Sequence, residues 1–188
     1  MKWIGWLRQH ENRFLLWANR RSQGLYRQRI LHAWLNSITH LGGATFTIMF
    51  SILLGVIGRN EFSVLGWKCL FALGLSHIPV AIIKYKFKRL RPYQALPEVN
   101  TGRKPLKDPS FPSGHTTAIF ALTTPIMLNS ALFFMSGILL ASCIIIAFSV
   151  GWSRMYLGLH YPSDVVAGGI IGTSAGYIVN HYFPIWFA

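Results

Sequence analysis

Three short clusters in this chain carry its chemistry: Lys84 with Arg91-Pro92, Pro112-Ser113-Gly114-His115, and Ser153-Arg154 with His160 and Asp164. Together they supply three fixed cations, two imidazoles and one carboxylate, a set suited to gripping a phosphate and moving it onto a histidine. Arginine offers phosphate oxygens a planar, bidentate fork, and lysine adds a mobile point charge. An imidazole beside a bound phosphate can protonate the departing oxygen, the chemistry His115 would bring. An Asp four residues after a His can hold one ring nitrogen and leave the other free as a nucleophile, the relation of Asp164 to His160.

The elements that must position these groups follow from their neighbours. Lys84 and Arg91 stand seven residues apart, so on a continuous helix they share a face two turns apart, and Pro92 ends that helix. Lys86, Lys88 and Arg89 between them read as a snorkelling collar at the membrane surface. Ser113 is placed as the cap of a helix, and Gly114 lets backbone N–H groups approach an anion there. Alone, such a tetrapeptide is only a cap; His115 beside it adds the functional reading. A second helix is predicted to begin at about Pro162, with His160 just before it and Asp164 in its first turn. Asp164 can serve as that helix's cap as well as His160's partner.

Apolar blocks fill most of the rest. Of 188 residues 52% are hydrophobic and only 12% charged. Residues 43–58, 65–83, 131–150 and 165–179 carry almost no charge, and residues 116–128 form a fifth, shorter block that a helical start at Ser113 to His115 would extend. As helices these blocks are about 22 to 30 Å long, against a hydrocarbon core of roughly 30 Å, and they read as transmembrane spans. A soluble helical bundle would need more polar surface than five such blocks leave. The fold class expected is all-α: a polytopic membrane bundle of five to six transmembrane helices, with an amphipathic interfacial helix at the N-terminus.

Residues 1–29 are that N-terminal segment, and residues 30–188 form the membrane domain. Trp3, Trp6, Phe14 and Trp17 alternate with Lys2, Arg8, Arg13, Arg20, Arg21, Arg27 and Arg29, too many charges to cross a bilayer. The expected partner of this segment is an anionic lipid surface, with no nucleic acid involved. A cleavable secretory signal is not expected. Cys69 and Cys143 lie inside predicted helices without metal or redox spacing and read as core fillers. His10, His32, His40, His77 and His181 lack a matching constellation. No metal or other cofactor is expected, because the cationic surroundings would repel a divalent ion.

Two long polar connections, residues 84–111 and 151–162, open on the same side of the membrane if the spans alternate, and all three clusters lie in or beside them. With five spans, that face collects 16 of the 18 Lys and Arg, and the positive-inside rule puts it in the cytoplasm. Lys84, Arg91 and Arg154 have a chemical reason to be there that is independent of topology, so the sequence leaves the orientation open.

Lys84-x6-Arg91-Pro92, Pro112-Ser113-Gly114-His115 and Ser153-Arg154-x5-His160-x3-Asp164 resemble, in type and spacing, the three-part signature of the type 2 phosphatidic acid phosphatase superfamily. The resemblance implies a helical core over roughly residues 30–183 and a metal-independent phosphatase. It implies that His160 attacks phosphorus to give a phosphohistidine, Asp164 orients it and His115 protonates the leaving group. Lys84, Arg91 and Arg154 would bind the equatorial oxygens, with Ser113 and the Gly114 amide completing the cradle. It also implies a site on the extracytoplasmic face, against the charge distribution. The N-terminus departs from the six-span pattern of many membrane members.

The function expected is an integral membrane lipid phosphatase acting on a lipid phosphate or diphosphate, with undecaprenyl diphosphate the first substrate by likeness to short bacterial members. Phosphatidylglycerophosphate and phosphatidate follow. A vanadate-dependent haloperoxidase could use the same anion cradle but is expected to be soluble. A catalytically silent lipid-phosphate binding or transport protein could dispense with His115 or His160, and both are present.

Overall fold

The computed structural model describes residues 2–19, 26–101 and 106–186. Among them there is no strand. In chain order the helices are α1 (Lys2–Asn19), α2 (Tyr26–Ile38), α3 (Ala44–Ile57), α4 (Glu61–Lys86), α5 (Pro92–Ala95), α6 (Gly114–Leu128), α7 (Ser136–Tyr156) and α8 (Pro162–Trp186), with short 3-10 turns at Thr39–Gly42 and Ser130–Leu132. Arg20, Arg21, Arg103 and Lys104 lie outside the described residues.

Each of the five apolar blocks is a helix, bounded where local chemistry requires. Asn60, at φ 49°, turns the chain between α3 and α4. Ser113 caps α6, its hydroxyl accepting the Thr116 N–H at 3.4 Å. Pro162 opens α8, at a position where its missing N–H costs nothing. After α6 the Ser130–Leu132 turn delays α7 until Ser136, five residues beyond the start of the apolar block.

The expected continuous helix from Lys84 to Arg91 does not form. Helix α4 ends at Lys86, and Arg91 is extended at φ −75°, ψ 154°. The Pro92 ring disfavours helical geometry in the residue before it, so Pro92 starts α5 instead of ending α4.

Two helices, α4 and α7, are long and apolar enough to cross a membrane on their own. Residues Arg29–Gly42 and Ala44–Ile57 qualify together as one span bent by 55°. That is fewer than the five to six spans expected. The 15 residues of α6 reach only about 22 Å. The apolar run of α8 is bounded by Asp164 and by Asn180 with His181, and its glycines dilute it. Both helices nonetheless lie within one bundle whose outer surface is apolar: Leu53, Val56, Ile78, Ile138, Phe148 and Ile170 are all more than half exposed. A belt of this kind is stable only against lipid, which marks a membrane protein.

Helix α6 is the centre of the bundle, buried from Thr116 to Ile126 between α4, α7 and α8 except at the half-buried Phe120. A glycine stripe lets α8 approach it. Side chains at Gly168, Gly172 and Gly176 would bring a Cβ to 2.7 Å from the Ser113 carbonyl, 2.4 Å from the Thr117 carbonyl and 2.6 Å from Thr124 Cβ. Without a hydrophobic drive between helices in lipid, close backbone approach supplies the packing energy. Thr117, Thr123 and Thr124 return their hydroxyls to carbonyls one turn back, so this apolar centre holds no stranded donor from them.

Within the N-terminal segment, α1 covers Lys2–Asn19, and α2 begins at Tyr26. Leu15 and Ala18 of α1 are buried with Val99, Met155 and Tyr161. The Asn19 carboxamide donates to the carbonyls of Tyr156 at 2.7 Å and Asn100 at 2.9 Å, and accepts the Asn100 N–H at 2.8 Å. Trp6, Leu7 and Trp17 remain more than half exposed on its other side.

Candidate active site

All three sequence clusters meet at one end of the bundle. Lys84 comes from the last turn of α4, Arg91 from the link to α5, Ser113 to His115 from the start of α6, Arg154 from the end of α7, and His160 and Asp164 from the turn into α8. The Ser113 N–H donates to the Asp164 carbonyl at 3.0 Å, tying the start of α6 to the start of α8.

Arg91 joins the first cluster to the third. Its guanidinium is 2% exposed, and Nη1 donates to the Leu159 carbonyl at 3.0 Å and stands 3.1 Å from His160 Nε2. On its other side Nη2 meets Asp108 Oδ1 at 2.9 Å and Nε meets the Asp108 carbonyl at 3.0 Å. Lys84 pairs with the second oxygen of the same Asp108 carboxylate.

His160 is held from the Nδ1 side. Nδ1 lies 2.7 Å from the Ser110 carbonyl, an acceptor only, so Nδ1 carries the hydrogen and Nε2 keeps its lone pair towards Arg91. Asp164 Oδ2 is further off, at 3.5 Å from Nδ1. The carboxylate therefore acts on the ring partly through Ser110, whose hydroxyl donates to the same oxygen. Burial, with Arg154 and Arg91 nearby, outweighs Asp164 and lowers the imidazole to about 4, keeping it neutral at neutral pH.

The turn that delivers His160 depends on Gly158, at φ +68°, where a Cβ would stand 2.5 Å from Val99 Cγ1. The Arg154 carbonyl accepts the Leu159 and His160 N–H groups at 3.0 and 3.3 Å. Arg154 itself is 2% exposed and donates through Nη1 to Thr39 Oγ1 at 2.8 Å. His115, in the first turn of α6, has its carbonyl against Gly42, where a Cβ would come to 2.7 Å. The Gly42-Gly43 bend between α2 and α3 is thus where the chain passes His115. A Cβ at Gly114 would meet nothing within 4 Å, so open space lies beside the α6 N-terminus.

Several residues at this site carried no sequence signal of their own. Arg89 was expected in the surface collar with Lys86 and Lys88; those two are exposed, but Arg89 turns inward. Its Nη1 donates to Asp164 Oδ1 at 2.8 Å and Ser163 Oγ at 2.7 Å, and its Nη2 to Glu11 Oε2 at 2.7 Å. Its guanidinium lies 3.9 Å from the centre of the Tyr161 ring. Ser110, Glu11 and Thr39 were also missed, and Asp108, a carboxylate the sequence places near this face, was given no role there. The scarcity of acidic residues, five in the chain, was the one available pointer to Asp108 and Glu11. Among the described residues no three His, Cys, Asp or Glu side chains are grouped as metal ligands.

A cradle of cations around a neutral, pre-oriented imidazole can bind a phosphoryl group and accept it on nitrogen. The chain is similar to several known proteins. The bacitracin transport permease protein BcrC of Bacillus licheniformis is 36% identical over 98 residues, 52% of this chain and 43% of its own. An undecaprenyl-diphosphatase of Sulfolobus acidocaldarius is 34% identical over 94 residues, 49% of this chain and 42% of its own. The match thus spans less than half the length of either relative. The crystal structure of Aquifex aeolicus LpxE superimposes with a TM-score of 0.75 at 28% identity, covering 90% of this chain and 94% of that one. Residues 65–187, which hold all three clusters, match the PAP2 superfamily, and the chain belongs to it.

Proposed function

We propose that the protein is an integral membrane lipid phosphatase that removes the terminal phosphate of a lipid diphosphate or phosphomonoester through a phosphohistidine. The observation that carries this reading is the His160 ring: Nδ1–H fixed on the Ser110 carbonyl at 2.7 Å, and Nε2 unprotonated, its lone pair accepting from the Arg91 guanidinium at 3.1 Å until a phosphate takes that cation. Lys84, Arg91 and Arg154 hold the equatorial oxygens, with Ser113 and the Gly114 N–H at the α6 N-terminus. His160 Nε2 attacks phosphorus, the P–O bond to the leaving group breaks, and His115 gives that oxygen its proton. Nδ1–H then shares the imidazolium charge with the Ser110 carbonyl and Asp164. Water next attacks the phosphohistidine and loses its proton to His115, releasing phosphate and restoring both histidines.

Undecaprenyl diphosphate is the first substrate, supported by the relative named for that activity. Phosphatidylglycerophosphate or phosphatidate is the runner-up. The bent α2–α3 pair, α4, α6, α7 and α8 make five crossings, and α1 lies on the interface at the site's end with its exposed tryptophans among anionic headgroups. The site opens on the extracytoplasmic face in this reading. Lys84, Arg89, Arg91 and Arg154, which weigh towards a cytoplasmic face by count, all have partners within the site.

Purified protein in detergent with excess EDTA should release phosphate from undecaprenyl diphosphate, and His160→Ala should not. Tight lipid-phosphate binding without release by the wild type would support instead a silent binding or transport protein, the class suggested by the BcrC name.

A further inference from the structure

The Asp108 carboxylate spans Lys84 and Arg91 with one oxygen on each, as two oxygens of a phosphate would. Arg91 is sealed at 2% exposure, whereas Asp108 is 50% exposed on the solvent side of the pair. The backbone around Asp108 is anchored independently of its side chain. Tyr93 Oη donates to the Leu106 carbonyl at 3.0 Å and accepts its N–H at 2.9 Å, the Asp108 carbonyl takes Arg91 Nε at 3.0 Å, and the Ser110 N–H meets the Arg89 carbonyl at 2.9 Å. A rotation of the Asp108 side chain alone would free both cations.

We infer that Asp108 is a resident counter-anion: it occupies the Lys84–Arg91 pair between turnovers, is displaced by the substrate phosphate, and returns to expel the product. The inference rests on reading Lys84 and Arg91 as phosphate ligands. Every entering anion meets the same cost of displacing a singly charged carboxylate. A phosphodiester, the bulk anion of a lipid surface, also carries one charge and gains little by the exchange. A dianionic phosphomonoester or terminal diphosphate brings a second charge and overcomes it. Asp108 thereby sets a threshold that keeps a site open to the bilayer from filling with ordinary phospholipid. Partial burial alone would raise this carboxyl, but Lys84 and Arg91 outweigh it and hold it down at about 2, so the competitor is charged throughout the working range.

The test is calorimetric titration of the purified full chain with inorganic phosphate and with dimethyl phosphate, in wild type, Asp108→Asn, Asp108→Glu and, as an exposed acidic control, Glu98→Gln. The wild type should bind inorganic phosphate and show no measurable dimethyl phosphate binding. Asp108→Asn should tighten inorganic phosphate about fivefold or more and make dimethyl phosphate binding measurable, while Asp108→Glu and Glu98→Gln stay near wild type. In turnover, Asp108→Asn should lower KM and kcat together as product leaves more slowly. Weaker binding of both anions in Asp108→Asn would make the carboxylate a mere organiser of the two cations and overturn the inference. Equal binding of both anions by the folded wild type would overturn it without recourse to any variant. No phosphate binding in any form would remove the phosphate-ligand reading as well; phosphate binding and lipid turnover without the Asp108 pattern would remove this inference alone.

Discussion

Arg89 reaches the fully buried Asp164 at 2.8 Å with one guanidinium nitrogen and Glu11 of α1 at 2.7 Å with another. One side chain thus links the N-terminal helix to the carboxylate behind His160. Glu11 also accepts the Ser163 N–H at 3.0 Å, so α1 holds the first turn of α8. Glu11 thus brings α1 into contact with the residues around Asp164.

Arg89→Ala leaves a carboxylate at 0% exposure without its cation. A charge-assisted hydrogen bond is worth about 1.5 to 3 kcal/mol, so kcat should fall roughly 10- to 100-fold with a smaller change in KM. Arg89→Lys should recover part of the loss. Steady-state kinetics on detergent-solubilised protein checks this; an unchanged kcat in Arg89→Ala would return Arg89 to the surface collar.

His160 gives a pH signature. Its folded value, about 4, lies below the ordinary 6.5, so the neutral imidazole persists in acid and, with His160 as the proposed nucleophile, kcat/KM should hold until the pH drops towards 4. Stability has the same sign: the unfolded imidazole takes a proton below 6.5 while the folded one resists until about 4, so stability declines across that window as pH falls. His160→Gln should flatten that part of the thermal-stability profile. An acid limb of kcat/KM centred near 6.5 and assignable to His160 by NMR would contradict the neutral, buried ring.

Gly158→Ala tests the turn that presents His160. At φ +68° with Val99 Cγ1 at 2.5 Å from the added methyl, the substitution meets both backbone strain and a clash. A cost of about 1 to 3 kcal/mol is expected, read as a lowered Tm, together with reduced kcat. Gly114→Ala, where the added methyl meets nothing within 4 Å, should leave Tm unchanged while weakening phosphate binding.

Asn19→Ala removes three hydrogen bonds that fasten α1 to the Tyr156 and Asn100 backbone. Two carbonyls and an N–H lose their partner, at about 1 to 3 kcal/mol for a buried group. The expected result is faster proteolytic cleavage within α1 and, through Glu11 and Arg89, lower kcat. Wild-type cleavage rates would detach α1 from the site.

The sequence made the helices and the candidate site legible for different reasons. Apolar blocks and the Ser113 and Pro162 signals are local, so all five helices appear where the blocks lie. The three clusters carry recognisable types and spacings, and they do converge. The count of crossings was less legible, because α6 is short and α8 is cut by Asp164 and Asn180. Arg89 could not be told from Lys86 and Lys88 by type or spacing; only the break after Lys86 turns it inward. Ser110 contributes its backbone carbonyl to His160, and a carbonyl leaves no residue-specific mark. Glu11 and Thr39 act across 152 and 115 positions of chain, on Ser163 and Arg154, a separation no local pattern encodes.

The most direct test is to trap the covalent intermediate. Purified protein turning over radiolabelled undecaprenyl diphosphate, quenched in alkali within milliseconds, should carry label on the chain that survives base and is lost in mild acid, as phosphohistidine is. His160→Ala should carry none. Label that persists in His160→Ala, or a wild type that releases phosphate without ever becoming labelled, would contradict a mechanism built on His160.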